Sequence, residues 1–480
     1  MTVRVRFAPS PTGPLHLGNA RIAIINKLFA EKSGGAFVLR IEDTDPARLD
    51  PTSESLIVKE LSWLGIVPDE GPGFGGALGP YRQGERHEIY REIADRLLTS
   101  GVAYPCFCTD EMLEAERKAA ATKLRPPRYS GRCRDLSKEE VAARAGEPFA
   151  IRFRADFDEI RVTDLIHGEV AFSPDAFGDF IIVRADGSAV FLFSSAVDDS
   201  LMGITHVIRG EDHLPNTPRQ ILIFRALGKE PPSFAHVPLI LSESGEKIKK
   251  REGGWDLESL IERGYTPEGV FSYLAALGNP GLSDKGIVGV KEAARSFDIS
   301  RLGRGAVRVE EKKLLRANVL AIRGLAADEL ARRLAPFLAA RGYDIDAIGA
   351  AALERFADAV GENIETLGDA LVFAPIFFDR DVPLDDGSRE LLSRDDSRRI
   401  LETLLRNLDG VGELTAVAFR AAVTKTGDET GTGGKALFGP IRAALTGMAH
   451  GPALEEIAGA IGLARVRGRI SRAREPLPPT

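Results

Sequence analysis

Two clusters of residues in this 480-residue chain have the types and spacing for phosphate chemistry. The first is Pro11-Thr12-Gly13-Pro14-Leu15-His16-Leu17-Gly18-Asn19. Its small and imide residues hold a turn open, His16 offers a donor to a phosphoryl group, and Gly18 lets a flat ring approach the backbone. It is neither a Walker loop nor a G-x-G-x-x-G run. The second is Lys247-Ile248-Lys249-Lys250-Arg251; the chain has only 16 lysines, and three of them stand in these four positions. Ammonium groups on a loop could neutralise a triphosphate and stabilise charge developing on a leaving pyrophosphate. Taken singly, His-x-Gly is more often a solvated turn, and a basic run more often a solvated face. A third cluster, Cys106-x-Cys108 with Tyr129 and Cys133, places all three cysteines within 28 residues. Thiolates completed by a phenolate, or by Asp135, could make a tetrahedral zinc site; three buried reduced thiols are the alternative.

These residues need elements to position them. Val3 to Phe7 alternate as a strand does, and three prolines forbid helix over Ala8–Pro14. From Asn19 the spacing of Ile22, Ile25, Leu28 and Phe29 predicts an amphipathic helix that stops at Gly34-Gly35. Ala36–Ile41 reads as a buried parallel strand, so strand, loop, helix and strand form a βαβ unit. That arrangement puts the first cluster at a helix N-terminus, whose unpaired N–H groups suit phosphate. Residues 68–84 carry six glycines and three prolines and are expected to be loop. The irregular stretch from Tyr104 to Phe180, with all the cysteines, reads as an insertion. Phe180–Val183, an Asp186-Gly187 turn and Val190–Phe193 predict a hairpin. Ile204–Ile208 and His236–Leu241 predict further strands, the second interrupted by Pro238. From Arg316 onward Leu330, Leu334, Phe337 and Leu338 follow helical spacing up to Gly342, and the last third is expected to be all-helical, with a flexible glycine-rich loop at Thr426–Gly434.

Composition bounds the class. There are 63 Lys plus Arg against 70 Asp plus Glu, a net charge of −7. A protein that coats nucleic acid nonspecifically wants a basic surface, so any phosphate contacts here must be local. No run approaches the roughly 18 apolar residues that span a bilayer, and the N-terminus lacks the apolar core of a secretory signal. An odd cysteine count without an export signal argues against a disulfide framework. The expectation is a multidomain, cytoplasmic enzyme with no membrane partner.

Together the two phosphate clusters resemble the paired signature motifs of class I aminoacyl-tRNA synthetases. Arg6-Phe7-Ala8-Pro9-Ser10-Pro11-Thr12-Gly13, Arg40-Ile41-Glu42-Asp43-Thr44-Asp45, Val207-Ile208-Arg209-Gly210-Glu211-Asp212-His213 and Ala443-Ala444-Leu445-Thr446-Gly447 are similar to bacterial glutamyl-tRNA synthetases, in matching order along essentially the whole chain. The resemblance implies an α/β fold with a Rossmann-like parallel-sheet catalytic domain, split as 1–105 and 185–245. An acceptor-stem insertion at 106–184 would interrupt it. A stem-contact domain at 246–315 and an all-helical anticodon-binding domain at 316–480 would follow. It also implies glutamate activation by ATP with Mg²⁺, transfer to tRNA, and no DNA partner. His16, Gly18, Lys247 and Lys250 would be catalytic, with Pro11, Thr12, Gly13 and Arg251 also at ATP. Arg6, Ser10, Glu42, Phe191 and Arg209 would bind glutamate. Relatives with a similar cysteine cluster imply a structural zinc ion held by Cys106, Cys108, Tyr129 and Cys133, with Asp135 as alternative fourth ligand.

Three departures stand out. Lys249 replaces the serine usual in the second signature motif. Phe191 stands where relatives often have a tyrosine. Gly361-Glu362-Asn363-Ile364-Glu365-Thr366-Leu367 lacks the Arg-x-Arg-Phe common in members restricted to glutamate tRNA, so glutamine tRNA is a second expected partner. Arg465, Arg467, Arg469, Arg472 and Arg474 form a basic tail that could touch phosphates. The alternatives are a catalytically degenerate tRNA-binding paralogue and a glutamyl-queuosine tRNA synthetase, which lacks such a helical region.

Overall fold

The computed structural model describes residues 2–44, 50, 52–122, 128–246 and 254–475. Two compact units divide the chain: Met1–Leu260 with Val270–Glu311, and Ile261–Gly269 with Lys312–Thr480.

The first unit is built on a six-stranded sheet. Its strands include β1 (Arg4–Phe7), β2 (Ala36–Leu39), β5 (Ile160–Asp164), β6 (Gly168–Phe172), β8 (His206–Gly210) and β9 (Ser233–Val237). The order across it is β2-β1-β8-β9-β5-β6. All neighbours run parallel except the β5–β6 hairpin. Three further strands, β3 (Ala103–Cys106), β4 (Ala150–Phe153) and β7 (Phe180–Val183), make a separate antiparallel sheet in the order β3-β4-β7. Val5, Phe37, Val38 and Leu39 are buried because helices and loops cover both faces of a parallel sheet. From β1 the chain goes to one side to form β2 and later returns on the other side as β8. The carboxyl ends of β1 and β8 therefore flank a topological switch point, where open α/β sheets hold ligands.

Helix α1 (Leu17–Ser33) begins earlier than its apolar spacing indicates, because the His16 ring caps it through an Nδ1 that accepts the Asn19 N–H. Gly34 closes it at φ 59°, a left-handed position that suits glycine. Pro238 ends β9, and the chain resumes as a two-residue strand, Ile240–Leu241, beside Val307–Arg308.

Two sequence expectations give way here. Val190–Phe193 is not the second strand of a hairpin. After the Gly187 turn the chain makes one antiparallel bridge, Val183 to Ala189, and Phe191–Leu201 is a helix. Both faces of that helix are covered: Phe193 through Asp199 are all buried, so no polar stripe betrays the helical period. Thr426–Gly434 is not a flexible loop either. Thr426 to Thr430 are the last turn of the Ala416–Thr430 helix, Gly431 caps it at φ 67°, and Gly434 starts the next helix. The Thr426 and Thr430 hydroxyls donate to carbonyls one turn back, which suits a helix end.

The second unit is helical throughout its described residues. Leu330, Leu334 and Leu338 of the Ala327–Ala340 helix are buried against Leu353 and Phe356 of the Ala350–Val360 helix. No helix among the described residues is long and apolar enough to cross a membrane.

Candidate active site

A cavity of about 510 Å³ opens at the switch point, lined by the ends of β1, β8 and β9 and by the loops after β1 and β2. Arg6, Ser10, Thr12, His16, Gly18, Glu42, Phe191 and Arg209 all line it. Pro11 and Gly13 lie in the same loop behind that wall, Gly13 at φ 119° with open space around its α-carbon, so backbone conformation is the need there.

The floor of the cavity is a buried ionic network. Asp199 accepts from Arg6 Nε at 3.0 Å and from Arg40 Nη1 at 2.7 Å. Arg40 Nη2 donates to Glu42 at 3.0 Å. Asp198, 4.0 Å from Arg40 Nε, takes its hydrogen bonds from Arg86, Gln83 and Tyr90 at 2.7 to 2.8 Å. Arg6 also reaches the Ile208 carbonyl through Nη1, and its Nη2 has no protein partner among the described residues. Burial pushes the Glu42 carboxyl up, against the pull of Arg40 and Arg6. Burial opposes ionisation of Asp199 too, but the two guanidiniums hold it below the usual carboxylate range.

Arg209 differs from Arg6. It is 6% exposed, and its three donors go to neutral acceptors: Nε to His236, Nη1 to Gln220 and Nη2 to Thr217, at 2.7 to 3.1 Å. No carboxylate lies within ion-pair distance of it among the described residues. Burial, and then repulsion from Arg6, push its guanidinium down to about 9, still charged at neutral pH. Two guanidiniums thus line one cavity with less than their share of counter-ions, an arrangement that fits a ligand carboxylate. Glu42 on the same wall complements an ammonium group.

His16, at the mouth of α1, has its Nδ1 turned to the helix N-terminus. A Cβ on Gly18 would lie 2.8 Å from His16 Cε1, so this glycine first of all makes room for the histidine ring. The spacing alone shows only the open approach. The loop carrying His16 is fastened to the segment just after the basic cluster: Leu17 N–H donates to the Trp255 carbonyl at 3.1 Å and Leu257 N–H to the Leu15 carbonyl at 3.0 Å. Lys247, Lys249, Lys250 and Arg251 themselves lie outside the described residues.

Beneath that junction sits Glu60, fully buried, with Oε2 accepting the Leu15 N–H at 2.9 Å. Burial, with Glu258 and Asp256 nearby, pushes its carboxyl up to about 7. A folded-state value raised above that of the unfolded chain means that stability is greatest at acid pH and falls as pH rises through about 7. Glu60→Gln is expected to remove this component. Between pH 5 and pH 8 the wild type should lose roughly 2 kcal/mol relative to the variant, measured by urea unfolding at both pH values. Parallel pH dependence of the two proteins contradicts this placement.

The structure brings the three thiols together, their sulfur atoms all within 4.8 Å of one another. Cys108 and Cys133 Sγ are 3.7 Å apart, near the roughly 3.8 Å edge of a tetrahedron with 2.3 Å zinc–sulfur bonds. Tyr129 Oη lies 3.5 Å from Cys106 Sγ and 3.4 Å from Cys108 Sγ, and accepts the Cys133 N–H at 2.9 Å. Asp135 does not join them: its side chain is 86% exposed and faces Arg154 at 3.5 Å. Burial and the neighbouring thiols push Cys108 up to about 11.

The arginine-rich tail is a helix, Leu463–Ala473, and its guanidiniums turn inward or to neighbours. Arg465 donates to the Phe377 carbonyl, Arg467 pairs with Asp409 at 2.5 Å, Arg472 with Asp381 at 2.7 Å, and Arg474 with Glu402. Arg469 is buried at 2% exposure on the carbonyls of Leu445 and Asp379, so it is a structural cation rather than a phosphate contact.

Sequence reasoning gave no role to several cavity residues. His213 lines the wall 5.2 Å from the Phe191 ring, and burial and Arg209 push its imidazole down to about 4, leaving it neutral. Arg40 and Asp199 carry the network but are 159 positions apart, so residue order does not show that they meet.

Residues 2–316 match the family described as tRNA synthetases class I (E and Q), catalytic domain, and residues 329–474 match one described as anticodon binding domain. The glutamate–tRNA ligase of Sulfurihydrogenibium sp. is 42% identical over 473 residues, covering 98% of each chain. That of Carboxydothermus hydrogenoformans is 41% identical over 479 residues, covering 98% of this chain and 99% of its own. Among solved structures, a glutamate tRNA ligase from Elizabethkingia meningosepticum in complex with its amino acid superposes with a TM-score of 0.88 at 30% identity, covering 99% of both chains.

Proposed function

Because this chain belongs to the glutamate–tRNA ligase family of class I tRNA synthetases, we propose that it joins L-glutamate to the 3′ end of tRNA in the cytoplasm, in two steps. The α-carboxylate of glutamate attacks the α-phosphate of ATP, forming glutamyl-adenylate and releasing pyrophosphate. The 2′-hydroxyl of the terminal adenosine then takes the acyl group and AMP leaves. The observation that carries this reading is the pair of buried guanidiniums, Arg6 and Arg209, at one cavity with α1. Arg209 has no carboxylate partner of its own among the described residues.

In this reading Arg6 and Arg209 hold the side-chain carboxylate, and Glu42 and Ser10 orient the amino-acid end. The Phe191 ring closes one wall without a hydroxyl. His16 and the N-terminus of α1 face the ATP phosphates, and Lys247, Lys250 and Arg251 supply positive charge as pyrophosphate departs. Positioning and charge stabilisation, not covalent catalysis by the protein, lower the barrier. Mg²⁺ arrives with ATP and screens the triphosphate. Residues 106–184, apart from the β5–β6 hairpin that extends the main sheet, are assigned to the acceptor stem, 246–315 to stem contact and 316–480 to the anticodon. Glutamine tRNA is a second substrate in this reading, because Gly361–Leu367 lacks the arginine common in restricted members. The test is ATP–pyrophosphate exchange with tRNA present. Exchange that needs glutamate supports the reading, and exchange indifferent to glutamate overturns it.

Cys106, Cys108, Cys133 and Tyr129 are assigned a structural zinc ion, supported by three sulfurs within 4.8 Å of one another, two of them 3.7 Å apart, and by a phenol oxygen beside them. Zinc would replace the thiol protons and tie β3 to the loop carrying Cys133. Protein purified without added zinc is expected to hold about one ion per chain, and Cys133→Ser to lose it and melt several degrees lower. Metal analysis finding no zinc, with melting unchanged in the variant, rejects the assignment.

A further inference from the structure

A second carboxylate, outside the cavity wall, reaches Arg209 through one imidazole. Asp164, at the end of β5, is 2% exposed and accepts four hydrogen bonds. Three come from backbone N–H groups, those of Ile166 and His167 at 2.9 Å and that of His236 at 3.1 Å. The fourth comes from His236 Nδ1 at 2.6 Å. With its lone pairs so engaged, Asp164 can only accept, which fixes the tautomer of His236: the proton sits on Nδ1 and the lone pair on Nε2. His236 is fully buried on β9, and burial, reinforced by the charge of Arg209, keeps its imidazole below the ordinary histidine range.

That lone pair faces Arg209. Arg209 Nε donates to His236 Nε2 at 3.1 Å. The Thr217 hydroxyl bridges the pair, accepting from Arg209 Nη2 at 2.9 Å with its oxygen 3.1 Å from His236 Nε2. A carboxylate placed directly on Arg209 would orient it equally well but would also neutralise it. A neutral imidazole orients the fork and leaves its charge for a ligand, with the Asp164 charge held one residue away.

We infer that His236, clamped by Asp164, is the positioning residue that aims the Arg209 guanidinium at the substrate carboxylate while leaving its charge uncompensated. The inference rests on the proposed reading of Arg209 as a carboxylate binder. It makes β5, contributed by a segment distant in sequence, part of amino-acid selection.

The test exploits the two ends of the imidazole. The amide of His236→Asn can still donate to Asp164 but is too short to reach Arg209, whereas the carbonyl of His236→Gln reaches toward Arg209. In tRNA-dependent pyrophosphate exchange, His236→Asn is expected to raise the KM for glutamate about 10-fold with the KM for ATP within about twofold. His236→Gln should recover to within about threefold of wild type. On an Arg209→Gln background, His236→Asn should add little, because its effect passes through Arg209. Should His236→Asn not fold, Thr217→Val removes only the bridging hydroxyl and is expected to raise the same KM about threefold. An unchanged glutamate KM, an equal rise for ATP and glutamate, or full additivity with Arg209→Gln overturns the inference. If Arg209→Gln itself leaves the glutamate KM unchanged, the fault lies in the reading of Arg209, and the inference falls with it. A wild type that activates no glutamate overturns the ligase reading as well.

Discussion

Replacing Arg6 by glutamine is expected to raise the KM for glutamate by about 100-fold while the KM for ATP stays within about threefold. Arg6 is 4% exposed, so a ligand carboxylate on its guanidinium would meet a largely desolvated charge. Truncating one partner of a buried, hydrogen-bonded charge pair costs about 2–5 kcal/mol, and 2.7 kcal/mol is 100-fold. The fold should survive, because Asp199 keeps its 2.7 Å bond to Arg40 when Arg6 is gone. Arg6→Lys is expected to rescue poorly. Its point charge cannot bond Asp199, the Ile208 carbonyl and a ligand carboxylate in one plane. Steady-state pyrophosphate exchange, with glutamate and ATP varied separately, checks both variants. Equal rises in the two KM values would place Arg6 in the general architecture of the cavity instead.

The second large effect is expected at Lys250. Lys250→Ala should lower the rate of glutamate activation by about 100- to 1,000-fold, with tRNA affinity within about threefold. A cation that meets charge only as pyrophosphate leaves acts on the transition state and not on docking, so kcat carries the loss. The flank of this motif is fastened where such action requires: Trp255 and Leu257 are hydrogen-bonded to the backbone of Leu17 and Leu15, on either side of His16. Single-turnover activation and direct tRNA binding separate the two quantities, and equal losses in both would assign the basic run to docking.

Much of the catalytic frame could be read from residue order, because its signals are local. Proline and glycine punctuate the loop after β1, a short apolar run marks β2, and His16 and Gly18 sit where strand gives way to helix. The parts that escaped are those whose meaning depends on distant partners. Phe191 begins a helix whose neighbours bury it on every side, so its apolar run reads as a strand until the packing is known. Asp199 looks like the second of two acids closing an apolar run, and only the fold sets it between Arg6 and Arg40. The β5–β6 hairpin lies in the irregular, cysteine-bearing stretch, yet it extends the main sheet and brings Asp164 to His236. The arginines near the C-terminus show the converse: their sequence suggests a phosphate-binding surface, but Arg469 is buried on backbone carbonyls. A net charge of −7 is consistent with positive charge placed locally, inside a cavity and in one short basic run.

The most direct measurement is acylation with labelled glutamate on separate, pure transcripts of glutamate tRNA and glutamine tRNA, with ATP and Mg²⁺ present. Glutamate tRNA should be charged to near completion, and glutamine tRNA charged as well, more slowly. Charging of glutamate tRNA alone would remove the second substrate, and charging of neither would contradict the assignment of this site to glutamate–tRNA ligation.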